Sequence, residues 1–355
     1  MDRQHLEYAL ALHDALPPEG NLPWSPYSVA SALGLAASGA RGRTRDELIA
    51  VLARSGSLDA LGRLLSDAAR LADAEAAVAN TLWMRIGLDV HDDFKQAVLA
   101  WPGGAVRAAD FEHDAEGARQ KINDDVAQET RGLIKGLLPS GAIHRDIGTV
   151  IVNALYLKVA WRNPFEAGRT IPAPFHAPSG TKDVPTMRQQ EQFRYATADG
   201  WQQVTLPTPS DVVVDVVLPE GREATAPPAA TLAALRAESR SRKIDLALPR
   251  FRVEATLPLV EPLRTVGIEA AFNSRNADFG GISAAPMYIE SAMHKAVLRA
   301  DEQGFEGAAA TALSFRVVSI DMSRPVPFHV DRPFLVVVRH ARTGAVYFLA
   351  RVTEP

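Results

Sequence analysis

The sequence predicts an α+β protein folded as a single domain over residues 1–355. Helical spacing of apolar residues dominates roughly the first 140 positions, β-branched apolar runs dominate after Pro139, and no linker, repeat or low-complexity tract divides the two. With 355 residues, 47% of them hydrophobic, the chain can bury a large core.

The elements follow in order. MDRQHLEYALALHDALPPEG places Leu6, Ala9, Leu10 and Leu16 at helical spacing and breaks them with Asp2, His5, Glu7 and Asp14, which predicts an amphipathic helix and not a signal peptide. Ser28 to Ala37 is small and apolar. Thr44 with Glu47 three residues on predicts a capping box opening a helix. Asp114 onward keeps helical spacing up to Gly132. Thr149 to Trp161 is dense in Val, Ile and Leu, as a central strand covered on both faces requires. DVVVDVVLPEG and KIDLALPRF predict strands, each stopped by Leu-Pro. Pro227-Pro228 predicts a surface loop, and Met287 to Gly304 alternates as a strand ending at glycine.

Composition excludes several functions. A formal charge of −4 gives no basic footprint for nucleic acid or an anionic membrane. The absence of cysteine removes disulfides, thiol catalysis and thiolate metal sites. No segment has the roughly 20 consecutive apolar residues of a membrane span. A cytoplasmic monomer is expected, or an extracellular one if a leader has been trimmed. No G-x-S-x-G, HExxH, Walker A or G-x-G-x-x-G signature occurs in the required context, so no enzyme, cofactor or metal is expected. His91, Asp92 and Asp93 predict a solvated turn, and His294, within a predicted strand, a hydrogen-bonded core histidine.

One stretch remains. DEQGFEGAAATALSFRVV, Asp301 to Val318, continues directly from a strand with almost no turn chemistry. Read as a strand, it places Phe305, Gly307, Ala309, Thr311, Leu313, Phe315 and Val317 on one face, with Glu306, Ala308, Ala310, Ala312, Ser314, Arg316 and Val318 on the other. It is a loop written with strand periodicity.

That loop resembles the reactive-centre loop of the serpins, of the cysteine-free, prokaryotic type, and the resemblance extends along the chain. NLPWSPYSVASALGLAASGARGRTRDEL is similar to the family's S-P-x-S buried helix. KINDDVAQETRGLI resembles its I-N-x-x-V and T-x-G-x-I segment. VIVNALYLKVAWRNPFE resembles N-A-x-x-F-K-x-x-W-x-x-P-F, with Leu157 in place of the phenylalanine. VPTM, LALPRF, the Gly267-Ile268 pair, ADFGGIS and HKAVLRADEQG follow in family order.

The resemblance implies a serpin fold of three β-sheets and about nine helices, with an exposed reactive-centre loop at about 302–324. It implies a suicide inhibitor that traps a serine protease covalently, cleavage of the loop being followed by its insertion into the main sheet. Insertion of about a dozen residues at about 1 kcal/mol net per hydrogen bond rivals the stability of a whole domain, about 5–15 kcal/mol, as a metastable native state requires. The implied hinge comprises Glu302, Gly304, Phe305, Glu306, Gly307, Ala308, Ala309, Ala310 and Thr311. Ser25, Ser28, Asn153 and His294 match the polar shutter beneath the sheet, and Trp161 matches the breach where the loop enters.

Two positions fit the reactive bond. Spacing from Glu302 gives Val318–Ser319, whereas counting back from Arg332-Pro333-Phe334 gives Met322–Ser323. Val318 is preferred, because a cut at Met322 would carry Ser319 and Asp321 onto the buried face at about 1–3 kcal/mol each. Valine there implies an elastase-like protease. Subtilisin- and chymotrypsin-like enzymes are the other expected partners, and Arg316 or Arg324 would suit a trypsin-like one. The hinge departs from the inhibitory pattern twice, at Phe305, where a small residue is usual, and at Gly307, where alanine is. Phe305 would be the first side chain to enter the sheet, and its bulk would slow entry. A non-inhibitory serpin, acting as a protease substrate or a binding or chaperone-like protein, is therefore the alternative.

Overall fold

The computed structural model describes residues 2–54, 56–71, 75–145, 147–221, 226–305 and 324–355. Among these residues there are eight α-helices and two 3₁₀ turns. The helices are α1 (Asp2–Ala15), α2 (Pro26–Gly39), α3 (Gly42–Ala53), α4 (Leu58–Ala68), α5 (Asp92–Val98), α6 (Ala115–Glu129), α7 (Ala229–Glu238) and α8 (Val260–Thr265). The strands are β1 (Leu22–Trp24), β2 (Glu75–Arg85), β3 (Gly104–Ala109), β4 (Thr149–Ala160), β5 (Ile171–Ala177), β6 (Gly180–Ala198), β7 (Trp201–Pro207) and β8 (Val212–Pro219). They continue as β9 (Arg240–Pro249), β10 (Phe251–Pro258), β11 (Met293–Asp301), β12 (Gly304–Phe305), β13 (Val326–His329), β14 (Phe334–His340) and β15 (Val346–Val352).

A six-stranded sheet has the order β10-β11-β12-β4-β2-β3, and a nine-stranded sheet the order β1-β15-β14-β8-β7-β6-β9-β13, with β5 also on β6. The second and third sheets expected from the sequence are thus continuous. The cause is β6, 19 residues long, which pairs with β5 and β9 through its first part and with β7 through its last. Asp199 (φ 49°) and Gly200 (φ 77°) make the tight turn into β7.

Helix α2 is the central beam, with thirteen of its fourteen residues buried, and Pro26 and the Ser25 cap set where it starts. It lies against one face of β4, where Leu155, Leu157 and Val159 join the main core. Helix α6 covers the other face, where Val150, Val152 and Ala154 pack with Ile122 and Val126. Coverage on both faces is what the apolar run of β4 predicts.

Several local expectations change. Helix α3 starts at Gly42 with Arg41 at its N-cap, so Thr44 and Glu47 form no capping box. Thr44 Oγ1 instead accepts from the Asp278 amide (3.0 Å), and Glu47 Oε2 accepts from the amides of Glu269 and Ala270, so both tie the helix to a distant segment. His91 is the N-cap of α5, and Asp92 and Asp93 fill its first turn, where acidic side chains suit the helix dipole. His5, expected on the polar side of α1, is buried, as is Pro227 in the expected surface loop. Strand β11 begins only at Met293, although Met287 and Ile289 before it are buried.

Candidate functional site: a seam in the six-stranded sheet

Strands β4 and β11 run parallel as near neighbours, yet among the described residues they meet through one bridge, Ile151 opposite Ala292. At the other end β12 lies between them, with Gly304 opposite both Ala160 and Asp301, and Phe305 opposite both Val159 and Ala300. Strands in a sheet stand about 4.8 Å apart. The gap between β4 and β11 therefore widens from about one strand spacing at the bridge to about two at β12. A wedge-shaped slot results.

The wide end is built around the hinge. Gly304 has φ 151°, and a Cβ there would fall 2.2 Å from the Val159 carbonyl oxygen, so only glycine passes. Phe305 is 2% exposed. Its ring meets Trp161 edge to face at 5.1 Å and lies 6.4 Å from Phe251, which in turn contacts Phe334 at 5.8 Å. The expectation that Phe305 waits outside the sheet is therefore corrected. An aromatic socket already holds it, and for a buried ring such edge contacts add to the gain from area.

Trp161, the expected breach residue, lies beside β12, donating from Nε1 to the Asp301 carbonyl (2.8 Å) and from its amide to the Gln303 carbonyl (2.9 Å). Glu302 is buried, and its carboxylate accepts from Arg250 Nε (2.7 and 2.8 Å), from Arg250 Nη2 and from Thr170 Oγ1. Burial pushes the carboxyl up, but these donors outweigh it and leave it below its ordinary range. The other expected hinge residues, Glu306 to Thr311, and both candidate reactive bonds, Val318–Ser319 and Met322–Ser323, lie outside the described residues.

At the narrow end the four expected shutter residues come together. Ser28 Oγ donates to Asn153 Oδ1, Asn153 Nδ2 donates to the Ser28 carbonyl (2.8 Å), and the Ser25 amide donates to His294 Nε2 (3.0 Å). All four are buried. Burial lowers the His294 pKa to about 4, so the ring is neutral at pH 7. Asn80 of β2 belongs to the same network, accepting from Asn153 Nδ2 and donating to Ser31 Oγ (2.7 Å). The sequence reading does not single out Asn80, since β2 is not assigned there, or Ser31, which sits within the small apolar run of α2. An asparagine inside VANTLWM, otherwise apolar apart from one threonine, was the available signal.

No group of metal-ligating side chains occurs among the described residues. None of the described helices is long and apolar enough to cross a membrane. Among the described residues no strand joins the facing edges of β4 and β11 between the Ile151 bridge and β12, and the polar network lies beneath this slot. A family model described as "Serpin (serine protease inhibitor)" matches residues 6–355. The chain belongs to the serpin family.

Serpin-Z2B of Oryza sativa subsp. japonica is 32% identical, over 98% of this chain and 96% of its own. Leukocyte elastase inhibitor of Homo sapiens is 30% identical, over 98% and 97%. Human thyroxine-binding globulin complexed with thyroxine superposes with a TM-score of 0.87 at 26% identity, covering 100% of this chain and 98% of that one. The serpin fold expected from the sequence is therefore present, and protease inhibition is the family's general function.

Proposed function

We propose that this serpin is a suicide inhibitor of a serine protease, and that the wedge-shaped slot between β4 and β11 is the observation that carries this reading. Two parallel strands are held apart at one end by two residues of the following chain, and among the described residues the edges beyond that point have no ladder partner, which an added strand would supply.

Register supports Val318–Ser319 as the reactive bond. Gly304 faces Ala160, and each further residue in the same ladder faces one position earlier on β4, so Phe315 faces Thr149, the first residue of that strand. Val318 lies three residues beyond that point and Met322 seven. At about 3.3 Å per residue the tether to an acylated protease is about 10 Å or about 23 Å. The shorter one holds the enzyme against the end of the sheet. Valine at the cut suits an elastase-like protease, and the leukocyte elastase inhibitor among the relatives is named for such a target.

Phe305 and Gly307 favour a second reading, a non-inhibitory serpin cut as a substrate or acting as a binding protein. Thyroxine-binding globulin carries the same fold and is named for a small ligand.

Incubation with elastase, subtilisin, chymotrypsin and trypsin, followed by denaturing gels and mass mapping of the released C-terminal peptide, separates the readings. A denaturation-resistant complex and a peptide beginning at Ser319 are expected. Cleavage by all four without a complex would leave the second reading.

A further inference from the structure

A cavity of about 520 Å³ opens between α1, α3 and the end of α8, and none of its lining residues belongs to β4, β11, β12 or the polar network beneath them. Sites for small organic ligands measure about 300–1,000 Å³. The sequence spacing builds this one. Tyr8, Ala11 and Ala15 stand at i, i+3 and i+7 of α1, and Glu47, Ala50, Val51 and Arg54 at i, i+3, i+4 and i+7 of α3 and its C-cap, so each helix turns one stripe toward the space. Three of those side chains are alanines, and short side chains on facing stripes leave the space between the helices open.

Three polar groups at this cavity lack partners. Tyr8 is 1% exposed, and its buried hydroxyl has no hydrogen-bond partner among the described residues. Asp14 stands on the flank of the α1 stripe, and burial, with no cation to offset it, holds its carboxyl above the ordinary range. Arg54, exposed on the α3 side, makes no ion pair among the described residues. The other polar side chains here are already occupied. Glu47 accepts from Arg43 Nε (2.6 Å) and from the amides of Glu269 and Ala270, and Thr265 Oγ1 donates to the Glu261 carbonyl (3.0 Å).

Each free group selects a chemistry. A lone carboxylate takes a cation, a lone guanidinium a carboxylate, and a buried phenol O–H an acceptor. Asp14 and Arg54 border one cavity without pairing, so the space holds opposite charges apart. A ligand that serves all three groups carries an ammonium at one end, a carboxylate at the other and a carbonyl between them, on a body slim enough for alanine walls. A short peptide has that layout, and three extended residues span about 10 Å.

We propose that the cavity between α1, α3 and α8 binds a di- or tripeptide with small side chains, its ammonium at Asp14, its carboxylate at Arg54 and a backbone carbonyl accepting from the Tyr8 hydroxyl. The site is separate from the slot and does not depend on the inhibitory reading.

The test is calorimetric titration of the full-length protein with trialanine, N-acetyl-trialanine and trialanine amide, in wild type, Asp14→Asn, Arg54→Gln and Tyr8→Phe. Wild type should bind trialanine, and blocking either end should weaken binding about fivefold. Asp14→Asn should weaken trialanine as acetylation does, with little further loss when the acetylated peptide meets that variant, and Arg54→Gln should behave in the same way toward the amide. Tyr8→Phe should weaken all three peptides about fivefold, yet the free variant should melt no lower than wild type, because the lost hydroxyl leaves no bond behind. Absence of binding at millimolar trialanine overturns the proposal, as does equal affinity in wild type and all three variants, or equal affinity for free and blocked peptides. A free Tyr8→Phe protein that melts well below wild type would show that the hydroxyl already has a partner, and the site would lose its anchor.

Discussion

The rings of Trp161 and Phe305 meet edge to face with centroids 5.1 Å apart, and this contact closes the wide end of the slot between β4 and β11. Phe305 thus anchors β12 between β4 and β11. Truncating a buried phenylalanine costs about 3–5 kcal/mol where the cavity cannot collapse. Here the site opens toward the slot, so Phe305→Ala should destabilise the intact protein by about 2–3 kcal/mol and shift the emission of Trp161. An unchanged melting temperature with unchanged fluorescence would show that the ring does not hold the hinge in solution.

The clamp on Glu302 gives a second expectation. Its carboxylate is buried, while the Arg250 side chain is 45% exposed, so the two ends of the pair differ in what removal leaves behind. Arg250→Ala strands a buried charge with Thr170 as its remaining side-chain donor and should cost about 1–3 kcal/mol. Glu302→Gln leaves the arginine free to turn to water and should cost less. Both should speed amide exchange at Gly304 and Phe305. Equal costs for the two variants would mean that burial of Glu302 is not what makes the pair matter.

The sequence discloses these features unequally. The segment after Asp301 stands out in the sequence because period-two alternation continues where a strand ends without turn residues. The central strand at Thr149 is legible because burial on both faces leaves a continuous apolar run. Phe305 is not legible as an anchor: its ring suggests an obstacle until Trp161 and Phe251, distant in sequence, form a socket around it. Asn80 and Ser31 escape for a similar reason, since each sits in a mostly apolar run and its partners come from other elements. Thr44 and Glu47 carry the spacing of a capping box, but tertiary amides outcompete the local ones.

Acid should loosen the molecule through its buried histidines. Burial lowers His294 and His5 to about 4 and His13 to about 3, from an ordinary value near 6.5; the nearby Val346 backbone opposes this at His5, and Arg236 and Arg351 add to it at His5 and His13 respectively. The unfolded chain therefore takes up protons first. Their contribution is fully present above pH 6.5 and is lost as pH falls toward 4 for His294 and His5 and toward 3 for His13, at up to about 1.4 kcal/mol per pH unit for each ring. Melting temperatures from pH 7 to pH 4 should fall steadily, less so in His13→Gln. A flat profile over that range would mean that these rings are not held neutral in the folded protein.

Gly304→Ala separates the backbone's part in the hinge from the ring's. At φ 151° an alanine bears a conformational cost of about 1–3 kcal/mol, and its Cβ would also overlap the Val159 carbonyl oxygen at 2.2 Å. That oxygen belongs to a strand packed on both faces and cannot retreat. The variant should therefore lose the β12 pairing with Ala160 and Asp301 and draw Phe305 away from Trp161, although every ring of the socket is present. The expected readout is Trp161 emission like that of Phe305→Ala, together with faster exchange of the Gly304 and Phe305 positions and of the Trp161 amide, which donates to Gln303. If Gly304→Ala keeps the wild-type emission and exchange, the hinge tolerates a side chain at this position, and the wedge at the wide end of the slot does not depend on a glycine.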